Sequence, residues 1–133
     1  MLLIISSNKT IAHVQEKFEE YFPFLMIQFY DPSSRYNAEE RKIRPEVQFR
    51  AINNTLKETI IEFQDNTKTG ELEQTFLQKT GVPVHLFRCQ GECWIQTFAD
   101  DNLTLEEQNQ IGQSAMEQWM LSESAWIERE KFL

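Results

Sequence analysis

Glycine is scarce in this chain, with four among 133 residues and no two close together. A phosphate-cradling loop needs clustered glycines so that the backbone can approach the ligand, and that device is excluded. Cysteine is scarcer still. Two cysteines cannot build a disulfide framework, so reduced thiols and a cytoplasmic location are expected. The histidines are also only two, and no GxSxG, HExxH or paired CxxC spacing occurs. Basic charge is in deficit, 13 Lys and Arg against 21 Asp and Glu. Counterion release from nucleic acid and attraction to an anionic membrane both need clustered cations, so neither partner is expected. Long hydrophobic runs are missing as well. The opening MLLIISS lacks a basic flank and falls far short of the ~18 residues of a membrane span.

What remains is the composition of a globular domain, 41% hydrophobic and 12% aromatic, and residues 1–133 are read as one domain. The charge is unevenly placed. From residue 100 onward eight acidic residues face only Arg129 and Lys131, whereas Arg35, Arg41, Lys42, Arg44, Arg50 and Lys57 make the middle basic. A solvated surface accounts for both stretches; the sharper alternative is a middle segment that docks on an acidic surface, another protein's or the chain's own tail.

A repeat emerges when the chain is slid by 58 residues. LLII at 2–5 falls on IIEF at 60–63, Asn8 on Asn66, Val14 on Leu72, Phe18 on Phe76 and Phe29 on Phe87. Each half, about 1–30 and 57–88, reads as β-α-β. LLII is apolar on both faces and suits a central strand covered on both sides. Thr10 can cap a helix carrying Val14, Phe18 and Tyr21 or Phe22, ended by Pro23, after which Leu25, Ile27 and Phe29 alternate as in a strand. In the second half Thr69 caps, Leu72 and Phe76 form the stripe, and Gly81 closes the helix. Pro83 begins a strand through Val84 and Leu86, with Phe87 on its other face.

RCQGECW (88–94) joins that strand to WIQTF, with a hairpin strand expected over 93–98. Three registers are open. A three-residue loop Gln90-Gly91-Glu92 would bring Cys89 opposite Cys93; a Gln90-Gly91 turn, or Gly91 in a bulged loop, would offset the thiols. A metal would need two further soft ligands, and only His13 and His85 exist. A structural or incidental role for the thiols is favoured over redox sensing or metal binding.

Thr104 and Glu107 form a capping box for a helix over about 104–130, with Ile111, Ala115, Trp119, Ser122 and Trp126 as its stripe. Gly112 weakens it. This helix is the natural lid for the sheet face the other two leave open. Residues 31–56 are loop-like, with AEERKIR a candidate short helix, and a connection so long is often functional. Asp100-Asp101 precede the helix start, and nothing recommends Glu62 or Asp65 for acid–base work.

The pieces TGELEQTF (69–76), GVPVHLFR (81–88), the Gly91 turn with WIQT (94–97) and TLEEQNQIG (104–112) resemble a group of small uncharacterised bacterial proteins. The resemblance implies a soluble single-domain protein with no assigned reaction and no cofactor. Cys89 and Cys93 depart from the polar residues usual around that turn, and Gln108 and Asn109 invite a binding role.

The order β-α-β-β-α-β, then a hairpin strand and a C-terminal helix, matches a ferredoxin-like α+β sandwich. The expected function is a non-catalytic protein-interaction module, using Arg35, Arg41, Lys42, Arg44 and Arg50 with Arg88 and Trp94 of the hairpin. A small-molecule sensor is the alternative, by fold analogy with P-II-like proteins, and an unrecognised enzyme or thiol switch ranks third.

Overall fold

The computed structural model describes residues 1–33, 41–97 and 102–131, the side chains of 125–131 excepted. The chain is mixed α+β. It runs β1 (Leu2–Ile5), α1 (Ile11–Tyr21), β2 (Leu25–Phe29), α2 (Phe49–Ile52), β3 (Thr59–Glu62), α3 (Thr69–Thr80), β4 (Val84–Gln90), β5 (Cys93–Gln96) and α4 (Leu105–Lys131). Arg35 lies outside the described residues, as do Asp100, Asp101 and part of AEERKIR.

Local signals behave largely as expected. Thr10 Oγ1 accepts from His13 N at 3.2 Å, and α1 buries Ile11, Val14 and Phe18. Leu25, Ile27 and Phe29 are fully buried on one side of β2. Gly81 closes α3 in the left-handed region at φ 72°, where a side chain would be strained. At the other end of α3 the expected cap is displaced by one residue. Lys68 is the N-cap, and Thr69 is buried with its N–H donated to Leu103 O. A backbone segment, not a hydroxyl, satisfies that helix start. Residues 41–44 form no helix; the short helix of this region is α2.

Strand pairing departs from the expectation. A ferredoxin-like sheet sets β2 beside β3 and β4 beside β1, but the ladders are β1–β3 and β2–β4–β5, all antiparallel. The second edge of β2 is already occupied. Ile43 N donates to Phe29 O and Asp31 N to Arg41 O, both at 2.9 Å, while Gln15 Nε2 donates to Ile27 O at 2.9 Å. With those groups satisfied, β2 has no free edge for β3. LLII is consequently not covered on both faces. Leu3 and Ile5 are buried, whereas Leu2 and Ile4 are 42% and 38% exposed.

The ladders do arrange the two β-α-β halves around an approximate two-fold axis. Leu3 pairs with Ile61, its own counterpart 58 residues on, and β2 pairs with its counterpart β4. The equivalence extends to single hydrogen bonds. Ile11 N, which donates to Val47 O, corresponds to Thr69 N, which donates to Leu103 O. Lys9 O accepts from Phe49 N as Thr67 O accepts from Leu105 N, and Ser7 O from Arg50 N as Asp65 O from Glu106 N. Even the edge carbonyls match: Tyr21 Oη donates to Leu2 O, and Lys79 Nζ, 58 residues further, to Ile60 O. The start of α4 is therefore the second-half counterpart of α2, and Leu105 fills the place of Phe49, both fully buried.

Beyond its start, α4 lies against β4 and β2. The capping box is formed, with Glu107 N donating to Thr104 Oγ1 at 3.1 Å and Thr104 N to Glu107 Oε1 at 3.2 Å. The buried seam differs from the expected stripe. It runs through Leu105, Gln108 and Gly112 to half-buried Trp119, while Ile111 is 40% exposed and Ser122 is exposed. Gly112 sets this seam, because a Cβ there would stand 2.9 Å from both Phe24 Cβ and Phe24 O.

Candidate binding clefts beside α1 and α3

Each β-α-β unit leaves a cleft along the flank of its helix. The first, about 270 Å³, is lined by Ala12, Gln15, Glu16 and Glu19 of α1, Leu25 and Met26 of β2, Pro45 and Trp94. The second, about 260 Å³, is lined by Gly70, Glu73, Gln74 and Leu77 of α3, Pro83, Val84 and His85. Six positions of the first recur in the second at a separation of 58 residues, from Ala12/Gly70 through Glu19/Leu77 to Met26/Val84. The clefts are thus equivalents under the internal two-fold, with different chemistry on one backbone plan.

In both, the helix residue at the centre is tied to a strand. Gln15 donates to Ile27 O, and its counterpart Glu73 accepts from Leu86 N at 2.9 Å. Around these anchors the linings diverge. The second cleft holds His85, whose Nδ1 lies 3.8 Å from Glu73 Oε1 and whose ring meets Tyr30 edge-on at 5.0 Å between centroids. The first carries two carboxylates, Glu16 and Glu19, at positions where the second has Gln74 and Leu77. Its far wall is Trp94, 40% exposed, on the edge strand β5.

The hairpin geometry explains Trp94. Gln90 pairs with Cys93 across a Gly91-Glu92 turn, a register outside the three considered. Gly91 has φ 69°, and among the described residues no non-glycine residue, Glu92 included, has positive φ, as a II′ turn requires of its two central residues. In this register Cys89 faces Trp94, and Cys93 falls on the opposite sheet face with Gln90, so the thiols cannot pair. Cys89 is buried, and that burial pushes its thiol above the ordinary value; Cys93 is exposed. The same alternation makes Gln90–Cys93 and Arg88–Ile95 the hydrogen-bonded pairs, which turns the backbone groups of Trp94 and Gln96 toward the outer edge.

The basic residues do not assemble into one surface. Arg41 and Lys42 run along β2, where Lys42 Nζ sits 5.6 Å from the Phe87 ring centroid. Arg44 is exposed and pairs with Glu46 at 3.4 Å, and Arg50 is exposed on α2. Arg88 is half-buried, with its Nη1 donating to Gln108 Oε1 at 2.7 Å. Gln108 is fully buried and Asn109 Oδ1 accepts from Phe24 N at 2.9 Å, so both hold α4 in place. Of the described residues expected from sequence to form the binding surface, Trp94 alone lines either of these two clefts. Glu16, Glu19 and Met26 went unrecognised, although the 58-residue slide aligns Glu16 and Glu19 with Gln74 and Leu77 and so displays the difference. Among the described residues no group of three His, Cys, Asp or Glu side chains could hold a metal, and no helix is long and apolar enough to cross a membrane. No family model, curated protein or solved structure matches the chain.

Proposed function

We propose that this protein is a non-catalytic, cytoplasmic protein-interaction module whose contact surface is the β5 edge and the adjoining Trp94 cleft. The observation that carries the reading is the state of β5. Among the described residues nothing pairs with its outer edge, and Trp94 and Ile95 are 40% and 37% exposed. An edge strand offers unpaired backbone groups to an incoming extended segment, and an exposed Trp is the residue type that anchors such contacts. The small-molecule sensor rests on fold analogy from the order of elements and the long connection after β2, and the ladders depart from the ferredoxin-like sheet of that analogy.

The test is capture of partners from the host's own extract with the parent protein and with Trp94→Ala and Ile95→Lys variants, eluates being read for proteins and metabolites. A protein retained by the parent and lost from both variants supports the reading. Retention of only a metabolite, or an identical protein set from all three, overturns it.

A further inference from the structure

Resting on that reading, we infer that the cleft between α1 and Trp94 receives a cationic side chain, a guanidinium or alkylammonium, presented by the partner's docking segment. Glu16 and Glu19 line the cleft opposite the indole. Neither is held by a cation of the described chain: the neighbouring Lys17 is instead paired with Glu20 at 3.2 Å. Gln15 is engaged with Ile27 O, so the carboxylates are the polar groups left to meet a ligand there. An indole face and an acidic rim are together the complement of an organic cation, whose alkyl stem lies on the ring while its head meets the carboxylates.

Two features of the molecule sharpen this. The same face of the sheet already carries one such contact, since Phe87 sits beside Met26 in the ladder and is covered by Lys42. The twin cleft supplies an internal comparison. It shares size and backbone plan but has Gln74 and Leu77 in place of the glutamates and no tryptophan, so cation preference belongs to one cleft only. A chain of net charge −8 further favours a basic partner segment by attraction at long range.

The experiment uses the full chain, labelled with ¹⁵N, titrated with two blocked peptides, Thr-Val-Arg-Val-Thr and Thr-Val-Gln-Val-Thr, and followed at the Trp94 indole and the Trp94 and Gln96 amides. The arginine peptide is expected to bind about tenfold more tightly, with the advantage shrinking as salt is added. Glu16→Gln with Glu19→Gln should abolish the preference while leaving the glutamine peptide's affinity unchanged; both residues are solvent-exposed on α1, so the fold is retained. Equal binding of the two peptides at the β5 amides overturns the cation site and leaves the interaction reading standing. Perturbation of neither the indole nor those amides by either peptide overturns both. A preference that survives the double variant overturns the assignment to Glu16 and Glu19.

Discussion

Replacing Gly112 by alanine separates packing from helix propensity by the sign of the result. In an unhindered helix the change stabilises by about 1 kcal/mol, because glycine loses more backbone freedom on folding. Here the added Cβ would meet Phe24 Cβ and Phe24 O, each at 2.9 Å, and Arg88 Cγ at 3.2 Å. The arginine can give way. The carbonyl cannot move cheaply, since Phe24 O accepts from Cys89 N at 3.0 Å and Phe24 N donates to Asn109. Overpacking of this kind costs ~1–3 kcal/mol, so after the propensity gain of about 1 kcal/mol the net expectation is a loss of up to about 2 kcal/mol. That corresponds to a fall in melting temperature of up to about 8 °C. Urea unfolding followed by circular dichroism measures it, with Ser114→Ala on the exposed side of α4 as the control expected to be neutral or slightly stabilising. A Gly112→Ala protein more stable than the parent would refute the close approach of α4 to the Phe24 segment.

The other expectations concern separate parts of the fold. Thr104→Ala should cost ~1 kcal/mol in the same assay by removing half of the capping box, and Glu107→Ala should add little on top of it; fully additive losses would argue against the reciprocal bonds. Leu3→Ala should cost ~2–5 kcal/mol and Leu2→Ala less than about 1, since only the first is buried; similar losses would contradict the alternation of β1. One thiol per folded chain, Cys93, should react rapidly with an alkylating reagent, and Cys93→Ser should remove that fraction. Burial raises the Cys89 thiol, so its contribution to stability is intact below the ordinary value of 9.0 and is lost as pH rises above it. Cys89→Ala should therefore flatten the alkaline part of the stability profile, and an unchanged slope would count against burial of the thiol.

The features legible in the sequence are those written in local chemistry. Thr10, Gly81 and the Thr104–Glu107 box each act through groups within a few residues, and each does what its residue type requires. The 58-residue repeat was also readable, because apolar spacing survives where identity does not. Strand order was not. It depends on Gln15 and the 41–43 segment closing the second edge of β2, and neither contact has a sequence period. The apolar LLII suggested a strand covered on both faces, but hydrophobicity does not say which face a neighbour will cover, and Leu2 and Ile4 remain exposed. Grouping arginines by sequence proximity misled for a related reason. Alternation in β4 turns half-buried Arg88 toward Gln108, while the glutamates of the first cleft are ordinary surface residues until Trp94 is folded opposite them.

Site-specific photo-cross-linking in the host's cells is the sharpest test of the proposal that a partner lies on the β5 edge. A photoreactive phenylalanine analogue would replace Ile95, with Leu77 of the twin cleft, 50% exposed, replaced in a parallel strain. One discrete cross-linked product is expected from position 95 and none from position 77, with the product lost when Trp94 is also changed to alanine. No product at position 95, or the same product from both positions, would contradict it.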